Sequence, residues 1–224
     1  MSPLPIKFDA NGLVPVVVQD DLTGEVRMFA FATEAAVRAT LETGRATFFS
    51  RSRGEIWEKG STSGNTIRVH RVLVDCDADC LLYSADPQGP SCHTGAPSCF
   101  FQVLDGETLT PPQPPGPEGT AQTLLGRLEA TLEARKHATG QSSYTKSLYD
   151  AGAARIGAKI GEEADELSLA VEAETDERVV SEAADVLYHV LVGLRWRSIP
   201  LRRVLAELAR RVGTSGHQEK AGRE

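Results

Sequence analysis

Three aspartates alternate in the run Val74-Asp75-Cys76-Asp77-Ala78-Asp79, with a thiol between the first two, and two more thiols follow at Cys92 and Cys99. Carboxylates suit hard cations such as Mg²⁺, and thiolates suit Zn²⁺. One short stretch can therefore hold two kinds of metal, Mg²⁺ near Asp75, Asp77 and Asp79 and Zn²⁺ on Cys76, Cys92 and Cys99. The thiols do not have the paired Cys-x-x-Cys spacing of a structural zinc site. Three thiolates leave a fourth position open, as catalytic zinc needs for a water, whose pKa then falls towards about 7. His93, beside Cys92, is placed to carry a proton; the plainer alternative is a structural or solvent-exposed histidine. Cys80 is expected to be a core thiol. If Val72–Leu82 is one strand, the three aspartates share one face and Cys76 and Cys80 the other. The alternative is a polar turn with a small buried cysteine.

A second group of residues suits anions. Phe48-Phe49-Ser50-Arg51-Ser52-Arg53 and Trp57-Glu58-Lys59-Gly60-Ser61-Thr62-Ser63-Gly64-Asn65 combine cationic side chains, hydroxyls and glycines that let backbone N–H groups approach a phosphate. Ser50, Arg51, Arg53, Trp57, Lys59, Ser63, Gly64 and Asn65 are the candidate substrate contacts; otherwise this is a polar surface loop. A third group lies far along the chain. Glu163 and Glu166 stand three apart, as do Glu182 and Asp185, so each pair shares a helix face. On paired antiparallel helices the four carboxylates converge, and a cation such as Mg²⁺ would offset their repulsion. A solvated acidic face is the alternative, but Ala164, Ala183, Ala184, Val186, Leu187 and Val190 suggest packing.

The elements that must hold these groups differ in kind. Up to residue 106 the pattern is mixed and strand-rich. Leu13–Gln19 and Glu25–Ala32 read as a hairpin about Asp20–Gly24, and Thr33–Gly44 as a helix. Thr47–Ser50, Thr66–Val74, Cys80–Ser84 and Phe100–Leu104 read as further strands. Residues 107–119 hold five of the 12 prolines and read as an extended linker. From 120 to 212 the pattern is helical, with helices over Thr120–Thr139, Ile156–Glu174, Glu177–Trp196 and from Pro200 to Arg211; the tail 213–224 is expected to be disordered. The fold expected is thus two domains, an N-terminal α+β strand-rich metal-binding domain and a C-terminal all-α bundle.

Across 224 residues, 24 Lys and Arg stand against 31 Asp and Glu, a net charge of -7 that argues against a general nucleic-acid binder. No apolar run reaches the roughly 20 residues of a membrane span, and Met1–Ala10 has no signal pattern. A cytoplasmic chain is expected. The four cysteines, all between 76 and 99, then point to metal or catalysis rather than disulfides.

Phe-Phe-Ser-Arg-Ser-Arg, Trp-Glu-Lys-Gly-Ser-Thr-Ser-Gly-Asn, Asp-Cys-Asp-Ala-Asp, Cys-His-Thr-Gly and Ser-Cys-Phe together resemble the phosphoribosyl-AMP cyclohydrolase family of histidine biosynthesis. The chain departs from that family at Phe31-Ala32-Thr33-Glu34, where Met-Asn is usual. The resemblance implies Zn²⁺ on Cys76, Cys92 and Cys99, with Cys76 from the partner subunit of a homodimer, and Mg²⁺ near the three aspartates. The later E-E-x-x-E and E-x-x-D pattern resembles the all-α nucleotide pyrophosphohydrolases. Ser143-Tyr144-Thr145, Lys159 and Ala184-Asp185-Val186-Leu187-Tyr188-His189 narrow this to phosphoribosyl-ATP pyrophosphohydrolase. It implies Mg²⁺ at Glu163, Glu166, Glu182 and Asp185, with Lys159 available to phosphate and Tyr144 a candidate substrate contact. Glu162 could position water or face solvent. Together the two resemble a fused bifunctional hydrolase. It would cleave phosphoribosyl-ATP to phosphoribosyl-AMP and pyrophosphate, then open the adenine ring with zinc-activated water. The rival reading is a zinc-stabilised nucleotide-binding module fused to a helical dimerisation domain, which metal removal would unfold rather than merely inactivate.

Overall fold

The computed structural model describes residues 2–109, 123–137 and 143–212. Most of the expected linker and all of the expected tail lie outside the described residues, as do both ends of the first expected helix of the second domain. The chain divides into two compact units, with the division between Thr123 and Leu124.

The first unit is a six-stranded sheet. Its strands are β1 (Val14–Asp20), β2 (Val26–Ala32), β3 (Thr47–Ser50), β4 (Glu55–Glu58), β5 (Ile67–Val74) and β6 (Leu81–Pro87). Their order is β4-β3-β2-β1-β6-β5, antiparallel throughout except for the parallel pair β1–β6. In β1 the alternation of Val14, Val16 and Val18 with half-buried neighbours puts every second side chain in the core, as a sheet with one packed face requires. Phe48, Ile67, Leu81 and Tyr83 complete that core. Helix α1 (Glu34–Thr43) starts on Thr33, whose hydroxyl accepts from the Ala36 N–H, and ends at Gly44 with φ 67°, a left-handed cap that glycine adopts without strain. A two-stranded hairpin, β7 (Leu104–Asp105) with β8 (Thr108–Leu109), follows.

Residues 75–80 do not form a continuous strand, and the polar-turn alternative holds: β5 stops at Val74 and β6 starts at Leu81, close to the expected strands Thr66–Val74 and Cys80–Ser84, and a tight turn joins them. Asp75 ends the strand because its Oδ1 accepts the N–H groups of both Asp79 and Cys80 at 3.0 Å, and Ala78 takes a left-handed φ of 66°. The expected strand Phe100–Leu104 is also absent, its residues up to Val103 having no regular structure. Strand β4 was not anticipated; it is a short partner that lays Phe48 opposite Trp57.

The second unit is helical: α2 (Leu124–Lys136), α3 (Tyr144–Ala151), α4 (Ala153–Ala173), α5 (Asp176–Trp196) and α6 (Leu201–Arg211). Helix α3 was not anticipated. Ser143 caps it at its start, and Gly152, with φ 78°, separates it from α4. The α4–α5 pair is close, since a Cβ on Gly193 would sit 3.4 Å from both Ile156 and Ile160. Leu132, Leu148, Ile156, Leu191 and Val192 form the core. No helix among the described residues is long and apolar enough to cross a membrane.

Candidate active sites

In the first unit, a cavity of about 560 Å³ opens between β2, β3 and the loop after β4. It gathers Ser50, Arg51, Arg53, Trp57, Lys59, Ser63 and His93 from the expected set. Gly64 and Asn65 do not line it. Instead the Asn65–Thr66 backbone passes so close to Gly60 that a Cβ there would meet it at 2.4 Å, and the Asn65 side chain presses on Gly89. These residues shape the loop that carries Ser61–Ser63. An aromatic wall of Phe29, Phe31 and Phe49, not anticipated from the sequence, completes the lining. Phe29 and Phe31 meet edge to face at 5.1 Å, and the Arg51 guanidinium lies 4.1 Å over the Phe31 ring. Alternation along β2 was the available signal. Trp57 is held from behind by the core residue Phe48, with ring centroids 5.2 Å apart.

The thiols sit on two loops. Cys92 is buried in a turn in which its N–H donates to Ala96 and its carbonyl accepts from Gly95. Cys99 is pinned to β2 through its N–H to the Arg27 carbonyl. The two thiols interact directly. Burial pushes Cys92 up, but hydrogen bonds from Thr94, Cys99 and the His93 backbone outweigh it and hold the thiol below its ordinary value. Burial, then the Cys92 charge, pushes Cys99 up to about 11. Two adjacent sulfurs that cannot both ionise alone are a donor set that a divalent cation would satisfy. His93 Nδ1 lies 3.9 Å from Cys92 Sγ. Cys76 is exposed on the Asp75–Cys80 turn, and among the described residues it does not join the other two in a three-ligand group. Cys80 is half-buried, and burial pushes its thiol up.

The carboxylates of Asp75, Asp77 and Asp79 come within 4.8 Å of one another on the same turn. The Asp77 charge, then burial and Asp75, pushes Asp79 above its ordinary range, whereas the Cys80 N–H holds Asp75 below it. In the second unit Glu163, Glu166 and Glu182 also gather within 4.8 Å, with Glu163 and Glu182 buried. Asp185, one turn on from Glu182, lies outside that group of three. Burial, partly offset by Arg178 and reinforced by Glu166 and Asp185, pushes the Glu182 carboxyl up. Buried carboxylates need cations. Lys159 supplies one, with Nζ 2.7 Å from Glu163 and 2.9 Å from Glu162, bonds that raise its pKa. Arg178, not anticipated, supplies another at 2.6 Å from Glu182. Both metal-type clusters thus have the donor chemistry for a divalent ion.

Comparison with known proteins follows the same division. A family model of phosphoribosyl-AMP cyclohydrolase matches residues 28–101, and one of phosphoribosyl-ATP pyrophosphohydrolase matches residues 125–212. The histidine biosynthesis bifunctional protein HisIE of Wolinella succinogenes is 42% identical over 98% of this chain and 96% of its own. The proteins of that name in Aquifex aeolicus and Deinococcus radiodurans are 42% and 44% identical, over 93% and 94% of this chain and 98% and 94% of their own. With a cavity and thiol pair in one unit, a carboxylate cluster in the other, and relatives matching across both, the chain belongs to the bifunctional family of histidine biosynthesis that joins a phosphoribosyl-AMP cyclohydrolase to a phosphoribosyl-ATP pyrophosphohydrolase.

Proposed function

We propose that the second unit hydrolyses phosphoribosyl-ATP at the Glu163–Glu166–Glu182 cluster, with Asp185 completing the ligand set, and that the first unit opens the ring of the resulting phosphoribosyl-AMP beside Cys92, Cys99 and His93. The observation that carries this reading is the convergence of three carboxylates, two of them buried, within 4.8 Å. Mg²⁺ held there would screen the phosphates and favour attack of water on phosphorus. Lys159 lies on the rim of the cluster, already charged, and can turn from Glu162 and Glu163 to a phosphate oxygen once a cation neutralises those carboxylates.

In the first unit Arg51, Arg53 and Lys59 bind a phosphate of phosphoribosyl-AMP, while Phe49 and Trp57 offer flat surfaces to the purine. Zn²⁺ on Cys92, Cys99 and a Cys76 from the partner subunit would supply an activated water for attack at C6, after which the N1–C6 bond opens. His93, on the cavity wall, would move a proton between water and the ring nitrogen. The exposure of Cys76 and its separation from the other two thiols support a site shared in a homodimer. Mg²⁺ at Asp75, Asp77 and Asp79 fits the repulsion felt by Asp79. A cytoplasmic location accords with four free thiols. The test is incubation of the protein with phosphoribosyl-ATP, Mg²⁺ and Zn²⁺, following both steps over time. Pyrophosphate should appear first and the ring-opened product after a lag; no pyrophosphate would refute the reading of the second unit.

A further inference from the structure

His189 stands behind the carboxylate cluster and is 4% exposed. Its ring is boxed edge to face by Tyr144 at 5.9 Å and Tyr188 at 5.2 Å. Nδ1 lies 2.9 Å from the Asp185 backbone carbonyl and 3.8 Å from Glu163 Oε1. Nε2 lies 2.9 Å from the Tyr144 hydroxyl. A carbonyl can only accept, so Nδ1 carries a proton. Nε2 and the Tyr144 hydroxyl then share a single hydrogen bond that fixes where that hydroxyl stands. The neighbouring ring is fixed in turn, since the Tyr188 hydroxyl meets Thr145 Oγ1 at 2.7 Å and Arg135 reaches the same oxygen at 3.1 Å. The imidazole is therefore held at both nitrogens and has little room to turn.

Tyr144 itself is half exposed, at 52%, and stands near enough to Lys159 and Glu163 to feel their charges. One side of its hydroxyl is held by His189, and the other is open to a hydrogen-bond partner from solution.

We propose that His189 is a positioning residue of the pyrophosphohydrolase site, holding the Tyr144 hydroxyl where it hydrogen-bonds either a hydroxyl of the substrate's ribose or the attacking water. This rests on the assignment of the cluster as the site of phosphoribosyl-ATP hydrolysis.

Pyrophosphate release is measured on the full chain for the wild type and for Tyr144→Phe, His189→Gln, His189→Asn and the double variant Tyr144→Phe/His189→Asn. Ring opening of phosphoribosyl-AMP serves as the internal control. Loss of one such hydrogen bond should cost roughly tenfold in kcat/KM. Tyr144→Phe and His189→Asn should each show it, and the double variant no more than either alone, because one interaction is lost in all three. His189→Gln, whose amide can stand where Nε2 stands, should recover most of the rate, whereas the shorter His189→Asn should not. A loss carried by KM identifies a ribose hydroxyl as the partner, and a loss carried by kcat identifies the water. Multiplicative losses in the double variant, or His189→Gln no better than His189→Asn, would overturn the proposal. If the His189 variants do not fold, Tyr144→Phe decides, since it keeps the ring: unchanged kcat and KM would overturn it. A wild-type chain that releases no pyrophosphate would instead refute the underlying assignment of the cluster.

Discussion

Cys92 and Cys80 are both thiols near acidic or polar groups, yet their surroundings separate them. Cys92 is buried, touches Cys99 and His93, and is held below its ordinary pKa. The Cys80 thiol makes a 3.9 Å contact to the Leu81 carbonyl and is pushed up, by burial and then by Asp75 and Asp79. Thiolate character is what a metal requires. Cys92→Ser should therefore lower ring opening by on the order of 100-fold or more, with pyrophosphate release nearly intact. Cys80→Ala should keep both activities. Zinc content read by atomic absorption checks the assignment independently: a fall in the Cys80 variant but not in the Cys92 variant would reverse it.

At the scale of elements, the two acidic clusters are assembled differently. Glu163, Glu166 and Glu182 are carried by long helices whose packing at Gly193 fixes them in place. Asp75, Asp77 and Asp79 depend on a six-residue turn tied by the Asp75 carboxylate itself. Backbone hydrogen bonds hold Asp75 below the ordinary carboxylate value. A depressed folded pKa means stability that is complete above the unfolded value of about 3.9 and lost as pH falls through the lower folded one. Asp75→Asn keeps an acceptor but cannot titrate. In metal-free protein its melting temperature should therefore fall less than the wild type's between about pH 5 and pH 3. An equal fall in both would mean that the turn does not depend on the Asp75 charge.

For the whole molecule, the two compact units divide the chemistry as they divide the chain. A fragment ending at Leu109, which keeps the β7–β8 hairpin whole, should retain ring opening. One beginning at residue 119 should retain pyrophosphate release. Loss of either activity while the full chain is active would show that the units share a site. Each unit also leaves apolar surface open: Leu73 and Val74 lead into the Cys76 turn, and Leu169, Val171, Val180 and Leu187 stay exposed on α4 and α5. The packing expected around Ala164 and Leu187 is thus absent within one chain. A symmetric dimer would cover such faces. If each zinc is shared, mixing Cys76→Ser with Cys92→Ser chains under exchange conditions should restore ring opening, towards half per heterodimer. No recovery despite proven exchange would show that each chain builds its own zinc site.

Sequence by itself determined the chemistry and its division. Residue types and spacings are local facts, so the candidate groups Cys92-His93, the alternating aspartates and the i,i+3 carboxylate pairs were legible, as was the shift from a strand-rich to a helical pattern. Membership of an enzyme family, rather than of a nucleotide-sensing one, follows from the same strings. What only the tertiary structure decided depends on groups distant in sequence. The aspartates converge through a turn, because one carboxylate caps two N–H groups that a continuous strand would have used in its ladder. Strand β4 exists because Glu55–Glu58 finds Thr47–Ser50 as a partner. Asn65 reads as an anion contact in isolation but packs against Gly89. His189 looks like one more polar residue on α5 until Tyr144, 45 residues earlier, closes on its Nε2. Side-chain roles of that kind are set by which neighbours the fold delivers, and no spacing along the chain encodes them.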